Sequence, residues 1–239
     1  MHTSKHRPSP AATVDSQGFT LIELLTVIAI IGILAAIIIP TVGAVRATAL
    51  NARAAANLRS CFTMHALYAN DNKDKIAPYQ LNGEVLTPFR WTHLLVRDGY
   101  AGTARSITLV DKNEVFGNPA MIRYYQSKGY DLQTTNTWAR NGNIGPDPDG
   151  KTAGRVVTFS GLEQPSRTLF ITEGTIQSNN RWFHNEVWSS TWLNRIPPPA
   201  DFQKGKAFVL FADGHTLLMP GPGLKDLWDN DQLFSQGAQ

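Results

Sequence analysis

The sequence predicts an α+β fold, in which a long N-terminal helix packs on a C-terminal antiparallel β-sheet with long loops. An apolar run extends from Phe19 to Ile39, and an Ala-rich stretch without Gly or Pro after Gly43 continues to about Asn70. Both features favour helix. Beyond Asp71, short apolar segments alternate with Gly, Pro, Asn and Asp, a pattern typical of antiparallel strands joined by turns.

Composition limits the class of protein. The chain has 239 residues, of which 42% are apolar and 17% charged, and this fits one ordered domain of medium size beyond a membrane segment. The net charge is +3 and there is no dense Lys/Arg run, so nucleic acid is not an expected partner. The single cysteine, Cys61, cannot form a disulfide within the chain.

The first 18 residues form a polar leader without apolar periodicity, which we expect to be unstructured and absent from the mature protein. The apolar run that follows would measure roughly 31 Å as a helix, enough to cross the hydrocarbon core of a bilayer. Its one charge is Glu23, and an unpaired carboxylate in hydrocarbon costs on the order of 2.5 kcal/mol or more. Either Glu23 reaches the headgroups, or an amine from another subunit neutralises it.

These residues resemble the signature of the type IV prepilin and type II secretion pseudopilin family, which is a leader ending in Gly, then Phe-Thr-Leu-Ile-Glu and an apolar helix. Pro40 also stands where that family commonly carries a proline. The match runs without a gap over Gln17-Gly18-Phe19-Thr20-Leu21-Ile22-Glu23-Leu24-Leu25.

The resemblance implies that a prepilin peptidase cleaves after Gly18 and methylates the amine of Phe19, and that Glu23 is required for assembly. The implied partners are further copies of this chain or other pseudopilins in a filament, an inner-membrane assembly platform and the lipid bilayer. The leader would lie in the cytoplasm and the C-terminal part in the periplasm, with a single crossing of the inner membrane. The implied domains are a cleaved leader (1–18), a transmembrane and assembly helix (19–40), a helix continuation packed on the domain (41–70), and a β-rich globular domain (71–239).

Other readings remain open. Within the family, a subunit of a type II secretion pseudopilus is favoured over a type IV pilus subunit for adhesion or DNA uptake. A secretory signal peptide cut after Ala47-Thr48-Ala49 would instead release a soluble exported protein, but the apolar run is longer than such peptides carry and contains Glu23. An exported or membrane-anchored glycan-binding protein is the alternative of another class.

The second half of the helix is expected to pack on the globular domain through Leu58, Phe62 and Ala66, which recur with Ala55 and Ala69 at steps of three and four. Polar residues recur likewise and are predicted to lie on the opposite side: Arg46, Arg53, Asn57 and Ser60. His65 is predicted to be a core or helix-surface residue and not a ligand.

The rest of the chain contains several turn and strand signals. Asn82-Gly83 predicts a two-residue hairpin between 79–81 and 84–86, and Trp91 begins a short helix that ends near Gly99. Strands are predicted at 106–110, 155–159 and 167–172. A second hairpin is predicted between 207–212 and 215–219 around Asp213-Gly214.

Two further stretches resemble a subgroup of large pseudopilin-like proteins, of the pseudopilin G type. These stretches are Tyr68-Ala69-Asn70-Asp71-Asn72 and Phe211-Ala212-Asp213-Gly214-His215. The subgroup tends to carry a His ten positions before the Asp, where this chain has Gln203. A ligand role for Asp213 is therefore in doubt, and we expect Asp213 to be a turn residue with positive φ.

Evidence for a cofactor or for catalysis is weak. Calcium is the only candidate cofactor, with possible ligands at Asp147, Asp149, Asp226, Asp229 and Asp231, but neither cluster supplies six oxygen ligands. No hydrolase, nucleotide-binding or zinc motif occurs, and the chain is not expected to be an enzyme even if Glu173 and Asp213 are adjacent. Three tryptophans are predicted to be core or, if exposed, a contact surface: Trp182, Trp188 and Trp192.

Overall fold

The computed structural model describes residues 19–78, 80–81, 89–102, 114–132, 134, 136–146, 157–174, 186–187, 202–220 and 224. The chain divides into two compact units, Met1–Arg46 and Ala47–Gln239. Helix α1, Leu21–Asp71, begins in the first unit and ends in the second. The predicted long N-terminal helix is confirmed.

The described part of the first unit consists of residues 19–46 and buries almost none of its side chains. Its large apolar residues from Phe19 to Val45 are between 45% and 82% exposed. By length and composition, α1 is able to cross a membrane. Such a surface needs a nonaqueous environment, either lipid or other helices.

The second unit contains a five-stranded sheet with the order β5-β3-β4-β6-β7. Its strands are β3 (Trp138–Asn141), β4 (Leu169–Glu173), β5 (Glu186–Val187), β6 (Lys206–Phe211) and β7 (Thr216–Pro220). Neighbouring strands from β3 to β7 are antiparallel, whereas the short edge strand β5 runs parallel to β3. With α1, this sheet confirms the predicted α+β fold.

The C-terminal half of α1 packs against this sheet in the main core. Leu58 is fully buried in one cluster with Phe170, Phe208 and Leu210. The residues of α1 that are buried are Ala54, Asn57, Leu58, Cys61, His65 and Ala69. Ala66, which was predicted on the packed face, is exposed, and Asn57, which was predicted on the outer face, is buried. The packed face includes Asn57 because its side-chain amide donates to carbonyl oxygens of Glu114 and Gly117, which a count of apolar residues does not reveal.

Two short helices complete the described part of the second unit. Helix α2, Trp91–Arg97, ends as predicted, because Gly99 adopts the left-handed φ of 88° that terminates many helices. Helix α3, Pro119–Ser127, was not predicted. It begins at the N-cap Asn118, whose side chain accepts a hydrogen bond from the Ala120 N–H, and Pro119 occupies its first position.

The strand predictions met with mixed outcomes. Strand β1 (Gln80–Leu81) pairs with β2 (Phe89–Arg90), whereas the Asn82-Gly83 turn and the predicted partner segment 84–86 lie outside the described residues. The predicted strand 155–159 is wrong in its described part, where Thr158 forms only an isolated bridge to Lys75. The predicted strand 106–110 lies outside the described residues.

The C-terminal hairpin is confirmed, but its turn differs from the predicted one. The Phe211 N–H donates to the His215 carbonyl, so three residues form the loop instead of two. The positive φ belongs to Gly214, at 91°, and not to Asp213. A type I turn followed by a left-handed Gly explains this, because the Gly214 N–H donates to the Phe211 carbonyl.

Candidate processing and assembly segment

Helix α1 begins with a reciprocal pair of hydrogen bonds between Thr20 and Glu23. The Thr20 N–H and hydroxyl both donate to Oε2 of Glu23, at 2.8 and 2.7 Å. In return, the Glu23 N–H donates to the Thr20 hydroxyl oxygen at 3.3 Å. This is a capping box, in which an N-cap Thr and a Glu three residues later satisfy two otherwise free backbone N–H groups.

The capping box gives Glu23 a role within one subunit. This role inside the helix is additional to the assembly role that the resemblance implies for Glu23, and no described residue supplies a cation to the carboxylate. The pattern Thr-x-x-Glu ahead of an apolar run is a sequence signal for such a box, and it coincides with the processing signature.

The remaining predicted site residues fall in different places. Gly18 lies outside the described residues, whereas Phe19 is 74% exposed at the start of the described chain. Leu58 is buried and Phe62 is half-buried, with its ring against Phe159 and Phe170. The calcium candidates and the three tryptophans all lie outside the described residues.

The residues flagged near the C-terminal hairpin do not form a common site. Asp213 Oδ1 lies 2.6 Å from His215 Nδ1 at an exposed position. Gln203 donates through its side-chain amide to Asn51 Oδ1, also at 2.6 Å. Glu173 stands at the opposite end of the β4–β6 pair from Asp213, because Leu169 pairs with Phe211. Glu173 and Asp213 are therefore not adjacent, and in the described part of the chain no three His, Cys, Asp or Glu residues group as metal ligands would.

A buried polar network, which the sequence did not reveal, joins α3 to the sheet. The Asn118 side-chain amide donates to Oε1 of Glu173, and both side chains are fully buried. Burial raises the pKa of Glu173 to about 8, although hydrogen bonds from Asn118 and from the Phe208 backbone lower it in part. Glu173 is therefore mostly a neutral acid at pH 7.

The segment 114–118 is also attached to α1. Asn57 Nδ2 donates to the carbonyl oxygens of Glu114 and Gly117, at 2.7 and 2.9 Å, and Arg53 forms an ion pair with the Glu114 carboxylate. Eight residues after Asn57 on the buried face of α1, the His65 ring lies between Trp91 and Phe170. Burial lowers the pKa of His65 to about 3, so it is a neutral core residue, as predicted.

A comparison with protein families matches residues 15–39 to the prokaryotic N-terminal methylation motif. The matched range contains the predicted cleavage position, Phe19 and the capping box. Comparisons with curated proteins and with solved structures return no match. The long apolar helix and the antiparallel sheet form a pilin-like α+β architecture, and the motif supports a pilin-like subunit in general.

Proposed function

We propose that the chain is a structural subunit of a type II secretion-like pseudopilus. In this proposal a prepilin peptidase cleaves after Gly18 and methylates the amine of Phe19, and α1 then joins the subunit to a filament on an inner-membrane platform. The observation that carries the proposal is the match of residues 15–39 to the methylation motif at the start of a helix with an exposed apolar surface. The subunit would be anchored by one span, with its second unit in the periplasm.

Assembly follows from the exposure of α1. From Leu21 to Val45 the Leu, Ile and Val side chains of α1 are all exposed, and such a helix segment is stable in lipid and can also be buried among equivalent helices. Glu23 is the one charge of that surface, and the amine of a neighbouring Phe19 would neutralise it there. The filament partners would be copies of this chain or related pseudopilins.

The test of this proposal is the intact mass of the protein extracted from membranes. A mature terminus at Phe19 carrying one extra methyl group supports the proposal. A terminus beyond Ala49 overturns it, because that product would come from a secretory signal peptide. Neighbouring genes separate the secretion pseudopilus from a type IV pilus, since only the former is accompanied by the other secretion subunits.

A further inference from the structure

The second unit carries an open groove of about 400 Å³ at the start of its part of α1. Its apolar lining includes Leu50 of α1, Ala120 of α3, Leu218 of β7 and Phe202, which lies shortly before β6. Leu218 is 37% exposed on β7, which is the last strand of the sheet. The groove therefore exposes apolar side chains to solvent, and exposed apolar patches mark binding sites.

One wall of the groove is built from an unusual turn. Gln203, Lys204 and Gly205 have φ values of 46°, 56° and 68°, so two consecutive residues other than Gly adopt the left-handed conformation. The conformation is held by the hydrogen bond from Gln203 to Asn51 and by that from the Gly205 N–H to the Phe202 carbonyl. Such conformations are unfavourable for residues with a side chain and concentrate at sites that bind something.

The polar groups of the groove are complementary to an anion that also carries a hydrogen-bond donor. Lys204 and Lys206 are exposed and line the groove, and no acidic residue is among the described lining residues. Oε1 of Gln203 is buried and has no hydrogen-bond partner in the described part of the chain. A buried acceptor of this kind is costly unless a ligand or water donates to it.

The groove also lies close in sequence to the membrane segment. Ala47, which lines the groove, follows Ile39 by eight residues, and a chain of that length spans at most about 28 Å even when fully extended. The groove therefore cannot be far from the headgroup layer of a membrane that the apolar run enters. Phospholipids are abundant in that layer, and they combine an anionic phosphate with a hydroxyl or ammonium donor and an apolar body.

We propose that this groove binds the headgroup of an anionic phospholipid, with its phosphate between Lys204 and Lys206 and its glycerol and upper acyl carbons against Leu50 and Leu218. A headgroup hydroxyl would donate to Gln203 Oε1. This inference rests on the proposed membrane anchoring of the chain. Lipid in the groove would hold the free subunit at the membrane surface before it enters a filament.

The test uses the full chain in an uncharged detergent, to which phosphatidylglycerol or phosphatidylcholine is added, and native mass spectrometry counts the retained lipid. Phosphatidylglycerol should be retained preferentially, and the variant K204Q/K206Q should weaken this retention about tenfold or more. The matched control is K73Q/K75Q, which removes two exposed lysines outside the groove and should leave retention unchanged. Leu218→Ser should also weaken this retention, whereas Leu67→Ser, at an exposed position outside the groove, should not.

Two outcomes would overturn this inference. An equal loss of lipid retention in K204Q/K206Q and in K73Q/K75Q would mean that lipid is attracted only by the net charge of the protein. A photo-activatable residue in place of Leu218 that crosslinks to a second copy, and not to phosphatidylglycerol, would identify the groove as a contact between subunits. The intact mass of the same samples distinguishes a failure of this inference from a failure of the proposed function. A chain that retains lipid but is not cleaved before Phe19 would contradict only the proposed function.

Discussion

The side-chain amide of Asn118 donates a hydrogen bond to the carboxyl group of Glu173, and neither side chain is accessible to solvent. Asn118 also caps α3, so one residue both begins that helix and attaches it to β4. The Asn118 N–H donates in turn to the Thr137 hydroxyl at 2.7 Å, next to β3. The fixed position of α3 therefore depends on a carboxyl group that is stable inside only while it is protonated.

Glu173→Gln should make the stability of the protein less dependent on pH. The folded pKa of about 8 exceeds the ordinary value of 4.5, so the folded state binds the proton more tightly than the unfolded state does. The stabilisation is fully present below pH 4.5 and is lost as the pH rises through 8, by up to about 5 kcal/mol. Unfolding curves at pH 5, 6, 7 and 8 should show wild-type stability falling relative to the variant.

The control for that experiment is Glu163→Gln, which changes an exposed carboxyl group and should follow the wild-type profile. Parallel profiles for Glu173→Gln and the wild type would mean that Glu173 is ionised in the folded protein.

Asn57→Ala should destabilise the second unit by about 2–3 kcal/mol. The substitution removes the hydrogen-bond donor of two carbonyl groups, that of Gly117 at a buried position and that of Glu114 at a partly buried one. Asn70→Ala, on the exposed side of the same helix, should change the stability by no more than about 0.5 kcal/mol. Thermal unfolding of the detergent-solubilised chain measures both, and equal effects would show that the Asn57 contacts contribute nothing.

Gly214→Ala should be more harmful than Gly129→Ala, although both glycines have a left-handed φ, of 91° and 85°. A methyl group at Gly214 would lie 2.7 Å from the ring of Phe62, whereas at Gly129 it would meet nothing within 4 Å. We expect Gly129→Ala to lower the free energy of unfolding by about 1 kcal/mol, from backbone strain alone. Gly214→Ala should lower it by about 2–3 kcal/mol, because the Phe62 ring must also move. Equal losses in denaturant titrations would contradict this role for the Phe62–Gly214 contact.

The long helix and the last hairpin could be predicted because each is encoded by neighbouring residues. An apolar run without helix breakers defines α1, and apolar segments on both sides of Asp213-Gly214 define the hairpin. The buried face of α1 was less accessible to prediction, because Asn57 and His65 are polar and become core residues only through partners far away in the sequence. The Asn118–Glu173 pair was missed for the same reason, since nothing in the sequence brings together residues that are 55 positions apart.

For the candidate site, the sequence identified the right residues but not everything that they do. The residues from Thr20 to Glu23 were found at once, but only their processing signature was interpreted and the capping pattern was not. The capping role of Glu23 and its proposed assembly role can be separated, because the hydrogen bonds from Thr20 require an acceptor oxygen, whereas neutralisation by a neighbouring amine would require a negative charge.

The final prediction uses this separation. Glu23→Gln retains an oxygen that can accept from the Thr20 N–H, and so preserves the capping box, but it removes the charge. Glu23→Ala removes both. If the charge pairs with the Phe19 amine of a neighbouring subunit, both variants should be cleaved after Gly18 and inserted in the membrane, yet neither should enter filaments. Sheared filament fractions measure assembly, and the intact mass of the membrane fraction measures processing.

Thr26→Ala is the matched control, because the Thr26 hydroxyl donates only to the Glu23 backbone carbonyl and its loss affects neither the capping box nor the charge. This variant should assemble like the wild type. Filaments formed by Glu23→Gln at wild-type levels, with Glu23→Ala still defective, would instead mean that the capping box is what assembly needs. In that case Glu23 acts within its own helix, and the negative charge has no part in joining subunits.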